Sequence, residues 1–184
     1  MNAENRLTKL KLQAFAATIL VLFLSGVSCV SVNIGPGKTE KADGVKFAAP
    51  AAGFKVVDNK RADSAWNNPA TGSTIAFQSN CGDAADLDLE SIAQDLFSGF
   101  ESSNSLRDER IPFDGREALD REIEGKVDGV LTRVRAVIYK KNKCSYILTL
   151  VSLGKSLLAD NGRKAAVTGD SAEFERFSKS FKAP

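Results

Sequence analysis

Four acidic side chains fall close together at Asp83, Asp86, Asp88 and Glu90. Clustered carboxylates are the ligands that hard cations such as calcium prefer. The spacing is not that of an EF-hand loop, and no Gly stands at the turn position such a loop needs. Acidic residues also favour the first turn of a helix, where they complement its dipole. Leu89, Ile92, Ala93, Leu96, Phe97 and Phe100 follow at helical spacing. The stretch therefore predicts an amphipathic helix from Leu89 to Phe100 with the acids at its start. Ser152 and Lys155 have the spacing of a serine nucleophile and its lysine base. Ser152, however, ends an apolar run of strand type, and the later motifs that complete such a site do not follow. Gly37-Lys38-Thr39 looks like the end of a phosphate-binding loop, but Val32 stands where the leading Gly is required. The chain has no His. That removes Ser-His-Asp and Cys-His catalysis and the commonest metal ligand. The expectation is a protein without enzymatic chemistry and without a cofactor.

Three cysteines remain, Cys29, Cys81 and Cys144, and an odd number calls for an explanation. Arg6, Lys9 and Lys11 precede an apolar run from Ala14 to Leu24, followed by the small residues Ser25, Gly26 and Ser28, and then Cys29. The run is shorter than the roughly 20 apolar residues of a comfortable membrane span. A charged region, a short apolar region and small residues form a secretory signal pattern. The arrangement resembles a bacterial lipoprotein signal peptide. The resemblance implies cleavage before Cys29 and diacylation of its thiol. The alternative is an uncleaved anchor with an incidental cysteine, and segment length favours the lipoprotein. With Cys29 lipidated, Cys81 and Cys144 are left as a pair in an oxidising compartment, where disulfides persist. The alternative there is two buried free thiols.

This divides the chain into a signal peptide over 1–28, a flexible tether over 29–44 rich in Gly, Lys and small polar residues, and a single domain over 45–184. Beyond residue 28 there are 22 Lys and Arg against 22 Asp and Glu. That balance does not point to nucleic acid as a partner.

Within the domain, Gly53 to Val57 and Ser73 to Gln78 read as strands. The loop between them, Asp58 to Gly72, carries Trp66, which reads as a core cap rather than a ligand-stacking residue. Beyond the first helix, strands are expected at Leu106–Phe113, Arg116–Glu124, Val130–Lys140 and Cys144–Leu153. Turns fall at Asp114-Gly115, Asp128-Gly129 and Lys140–Lys143. The last strand is apolar on both faces, with Tyr146, Leu148 and Leu150 on one side and Ile147, Val151 and Leu153 on the other. Such a strand is covered on both sides. A C-terminal helix supplies the second cover. Asp170 to Glu173 reads as its capping box, and Phe174, Phe177 and Phe181 line one face. The basic tip of Lys140, Lys141 and Lys143 could touch a partner's acidic surface or lipid phosphates. It reads better as a solvated turn whose lysines deter edge pairing, so replacing all three by Glu is expected to leave the fold intact.

The order of strand pair, helix, antiparallel meander and terminal helix resembles the PsbP/Mog1-like α/β/α sandwich, which also includes DcrB-like periplasmic proteins. Gly53-Phe54-Lys55-Val56 resembles the opening strand. Gly115-Arg116 opens a meander strand, Ser145-Tyr146-Ile147-Leu148 resembles the penultimate apolar strand, and Phe174–Phe177 to Ser180-Phe181 resembles the closing helix. The resemblance implies an α+β fold, an antiparallel meander flanked by helices on both faces. It also implies a docking or accessory role with no shared catalytic residues. The functional expectation is a lipid-anchored binding module of the cell envelope. Its partners would be the membrane through Cys29 and an envelope protein, at the outer membrane facing the periplasm. The alternative is a small-ligand or divalent-cation binding protein using Asp83, Asp86 and Asp88.

Overall fold

In the computed structural model, residues 40–51, 53–82, 87–154 and 161–184 are described. Seven strands form one sheet: β1 (Lys55–Val57), β2 (Ser64–Asn67), β3 (Thr74–Cys81), β4 (Ser102–Phe113), β5 (Arg116–Val127), β6 (Val130–Lys141) and β7 (Cys144–Leu153). Helix α1 (Leu89–Phe97) lies between β3 and β4, and α2 (Asn161–Ser180) follows β7. The spatial order is β1-β2-β3-β7-β6-β5-β4, and every neighbouring pair is antiparallel. The chain thus leaves β3, crosses to the far edge through α1, and returns by hairpins until β7 closes against β3.

Local chemistry explains the hairpins. Asp114-Gly115, Asp128-Gly129 and Asn142-Lys143 all have positive φ, between 46° and 75°. Two-residue turns of this kind match the right-handed twist of the flanking strands, and Asp, Asn and Gly tolerate them best. Gly125 has a different reason: a Cβ there would sit 2.2 Å from the Ser102 carbonyl oxygen. Only Gly lets the start of β4 approach β5 so closely. β4 is the long edge strand. It carries Arg107, Asp108, Glu109, Arg110 and Pro112 and a register shift between Ser105 and Arg107, all features that discourage pairing with another chain.

Alternation along β5, β6 and β7 feeds two separate cores. On the α2 side, Trp66, Ile75, Phe77, Val137, Tyr139, Tyr146, Leu148 and Leu150 meet Phe174, Phe177 and Phe181. On the α1 side, Leu119, Val134, Ala136 and Ile138 meet Ile92, Ala93, Leu96 and Phe97, with Ile123, Ile147 and Val151 beside them. Both faces of β7 are therefore covered, as its composition requires, and the helices flank the sheet on both sides.

Several expectations are corrected. Trp66 belongs to the core, but it sits on β2, in the middle of the stretch read as a loop. Three strands, rather than two, precede α1. β4 begins at Ser102 rather than Leu106, because Gly125 admits its first residues to the sheet. α1 stops at Phe97, where Ser98 Oγ caps the Asp95 carbonyl at 2.8 Å and Gly99 follows. Phe100 lies outside the helix yet packs on the same core. α2 begins at Asn161, so Asp170 and Glu173 are interior residues rather than a cap. Their carboxylates serve other segments: Asp170 accepts from Asn68 Nδ2 at 2.9 Å, and Glu173 accepts from the Ala51 N–H.

The end of the stretch read as tether is also fastened to the domain. The Cys81 N–H donates to the Glu40 carbonyl at 3.2 Å, and the Ala42 N–H donates to Ser79 Oγ at 2.9 Å. Lys46 pairs with Lys182 as an antiparallel bridge, and the Ala48 N–H donates to Ser180 Oγ at 2.9 Å. Phe47 fills the space between Trp66, Phe77, Phe177 and Phe181, with ring centroids 5.1 to 6.0 Å apart. Residues 40–51 form a strap that runs up the α2 side of the sandwich.

Candidate functional site

Of the residues singled out by their chemistry, Cys81, Cys144, Lys140, Lys141 and Lys143 lie at one end of the sheet, where β3 ends and the β6–β7 hairpin turns, and Ser152 lies at the other. Cys81 and Cys144 are directly opposed in the β3–β7 register. Their sulfurs are 2.07 Å apart and their Cα atoms 4.1 Å apart, so the structure holds them as a disulfide across 63 residues of sequence. Cys29, the residue read as lipidated, lies outside the described residues, as do Asp83, Asp86 and Lys155.

The three lysines have separate fates. Lys140 Nζ donates to the Leu87 carbonyl at 3.1 Å. Lys141 Nζ donates to Asp114 Oδ2 at 3.0 Å and to the Ala183 carbonyl at 2.9 Å. Only Lys143 occupies the turn itself, with its side chain exposed. A Glu in place of Lys141 would set a carboxylate against the largely buried Asp114 side chain, so of the three replacements expected to leave the fold intact this one carries a cost in stability.

Asp114 is the hub of this end. It sits in the β4–β5 turn and also accepts the Ala183 N–H at 3.0 Å, with Lys182 Nζ 3.5 Å away. Burial acts against its charge. The hydrogen bonds from Lys141 and Ala183 and the two nearby ammonium groups outweigh burial, and hold the carboxyl below the usual carboxylate range. Asn142 Nδ2 donates to the Pro184 carbonyl at 2.6 Å. Two hairpins and the segment after α2 are thus tied together. Behind Asp114, the rings of Tyr139 and Tyr146 stack with centroids 5.0 Å apart. Both hydroxyls are buried without a hydrogen-bond partner among the described residues. Burial, with the Asp114 charge second, raises both tyrosine pKa values.

Asp88 has a structural task. Its carboxylate accepts the Ser91 N–H at 2.8 Å and the Ser91 hydroxyl at 3.1 Å, which caps α1 and holds the carboxyl below its ordinary pKa. Ser152 is buried and its hydroxyl lies 3.2 Å from that of Ser73. Neither arrangement presents a reactive group. Among the described residues, no group of three or more His, Cys, Asp or Glu is placed to hold a metal ion. Among the same residues, no helix is long and apolar enough to cross a membrane.

Two ion-pair networks lie on the outer strands and were not anticipated. On the α2 side, Asp120 is only 2% exposed. Arg135 grips it with Nε at 3.0 Å and Nη2 at 2.8 Å, and Arg107 Nη1 lies 3.4 Å away. Asp120 keeps the Arg135 guanidinium firmly charged, and that group also lies over the Phe174 ring at 5.6 Å. On the α1 side, Glu90 joins Arg110 at 2.9 Å and Arg121 at 2.7 Å, clipping the helix start to β4 and β5. The signal in the sequence was alternation: Arg133 and Arg135 against Asp120, Glu122 and Glu124. Only the register could say which charges meet.

No protein-family model matches the chain, and no curated protein matches it. Solved structures do. Cyanobacterial PsbP (CyanoP) from Synechocystis sp. PCC 6803 is 14% identical, covering 83% of this chain and 96% of its own at a TM-score of 0.49. LpqN, involved in cell envelope biogenesis of Mycobacterium tuberculosis, is 13% identical, covering 76% of this chain and 83% of its own at a TM-score of 0.47. The Saccharomyces cerevisiae Ran-binding protein Mog1p is 12% identical, covering 76% of this chain and 89% of its own at a TM-score of 0.50. At such identities a likeness speaks for architecture alone, and the seven-stranded antiparallel sheet between two helices has the PsbP/Mog1-like fold.

Proposed function

We propose that this chain is a lipid-anchored protein of the cell envelope that acts as a non-enzymatic binding or accessory module. The observation that carries the reading is the use of the three cysteines. Two are joined in the domain. The third, Cys29, follows a charged and then apolar leader and a run of small residues. A disulfide suits an oxidising, exported setting, and a lipid thioether gives Cys29 a use. The accessory role is supported by what the candidate reactive groups do: Asp88 caps a helix, Ser152 bonds Ser73, and Lys140 and Lys141 bind within the domain. Val30 at the position after Cys29, rather than Asp, favours the outer membrane facing the periplasm.

The test is metabolic labelling with a palmitate analogue in a bacterial host, followed by fractionation. Wild type is expected to carry label and sediment with membranes, and Cys29→Ser to lose both. Label and fractionation unchanged in Cys29→Ser would remove the reading. Cross-linking in intact envelopes then identifies the partner, and recovery of a turnover product in place of a stable complex would speak against a binding module.

A further inference from the structure

We infer that the end of the sandwich carrying the Cys81–Cys144 disulfide and the β6–β7 turn faces a bilayer surface of lipid headgroups. The opposite end is then presented to a partner. This rests on the lipid attachment at Cys29 proposed above. Ten residues, 30–39, separate that cysteine from Glu40. Whatever path they take, they span at most about 40 Å, and a Gly-rich chain of that length averages about 18 Å end to end.

The reach would say little if the chain beyond Glu40 were free to swing, but it is fastened at once. The Glu40 carbonyl is bonded to Cys81, Ala42 to Ser79 and Lys46 to Lys182. All three contacts lie at the disulfide end. The strap then climbs α2 through Ser180 to Glu173, away from that end. β5 and β6 are twelve residues each, and strands of that length run about 40 Å. The Asp128-Gly129 turn therefore lies at the opposite end of the sheet, about 40 Å from the Asn142-Lys143 turn.

Charge is not needed to orient the molecule. The near end exposes Lys41, Lys46, Lys143 and Lys182 against Glu40 and Asp43, but Lys41 lies beside Asp63 and Lys182 beside Asp114, and Lys140 and Lys141 are bound within the domain. Average covalent reach and the strap favour this orientation without help from charge, so it is expected to persist at high salt. The far end, with the β5–β6 turn and the Asn68–Gly72 connection, is the surface left open to an envelope partner.

The experiment uses the full lipidated chain in vesicles of phosphatidylethanolamine and phosphatidylglycerol containing a headgroup spin-labelled lipid. One fluorophore is placed at Lys143→Cys or, as a second near-end position, at Lys46→Cys. Another is placed at Lys126→Cys near the far turn. Labelling is done without reductant, so the disulfide stays closed. Quenching is expected to be several-fold stronger at both near positions than at 126, at low and at high salt alike. Equal quenching, or stronger quenching at 126, overturns the inference. Intact mass separates the two levels. A protein without acyl groups on Cys29 sinks the lipoprotein reading and the orientation with it. An acylated protein with equal quenching sinks the orientation alone.

Discussion

Under α2 the sheet is lined by rings, and under α1 it is lined by aliphatic side chains. The α2 side gathers Phe47, Trp66, Phe77, Tyr139, Tyr146, Phe174, Phe177 and Phe181 into one contact network. It is closed by the strap and by the Asp114 hub. The α1 side holds Ile, Leu, Val and Ala beneath a helix of nine residues, fixed at its start by the Asp88 cap and the Glu90 ion pairs. One strand, β7, supplies both. The difference teaches where stability is concentrated. Large rings bury more area per residue, and a strap adds sequence-distant ties, whereas surface ion pairs contribute little. The α2 side is therefore expected to be the more stable half of the fold, and α1 the element that opens first.

The most severe break in that comparison is Phe177→Ala. The side chain is fully buried among four rings, and its loss is expected to cost about 4–5 kcal/mol in chemical denaturation. A loss below about 1 kcal/mol would show that the aromatic side is not the dominant one.

Joint replacement of Cys81 and Cys144 by Ala comes next. Closing 63 residues is worth about 4 kcal/mol in the chain-entropy account, so the melting temperature should fall and reductant should no longer affect it.

On the other face, Leu96→Ala is expected to cost about 2–3 kcal/mol. The sharper readout is hydrogen exchange. Amides of α1 should lose protection in this variant while those of α2 keep theirs, and equal loss in both helices would erase the distinction between the two halves.

The smallest effect concerns the hub. Lys141→Glu sets a second carboxylate against Asp114 and should cost about 1–2 kcal/mol. Asp114 also predicts a pH dependence. Its folded pKa lies below the unfolded value, which is about 3.9. The stability it contributes is fully present well above that value and is lost as pH falls through the lower folded one. In Asp114→Asn the decline of stability as pH falls below about 5 should become shallower, and an unchanged slope would show that other carboxylates carry it.

Much of this was legible because it depends on short-range pattern. The two-faced composition of β7 announces two covers, Asp114-Gly115 and Asp128-Gly129 announce their turns, and Phe174, Phe177 and Phe181 fall three and four residues apart. What escaped depends on partners far away in sequence. β2 is four residues long, too short for alternation to stand out, and it is held by β1 and β3 on either side. The first part of the strap, residues 40–44, reads as polar tether because its ties are mostly through backbone groups, which any sequence possesses. Asp170 and Glu173 imitate a helix start because a carboxylate that caps a helix and one that receives a distant amide look alike in a string of letters. Cys29 and the carboxylates Asp83 and Asp86 stay readings of the sequence, outside the described residues.

The bridge between Lys46 and Lys182 has a consequence for timing. The strap finds its partner only once the end of α2 exists, and β3 must wait for β7, which lies beyond the whole meander. Contacts between such distant residues form slowly, because a long loop must be closed before they are rewarded. While the chain is being made, the aromatic core has its floor but not its lid. The bridge and the strap therefore close the aromatic core only after the meander that carries β7 has been made.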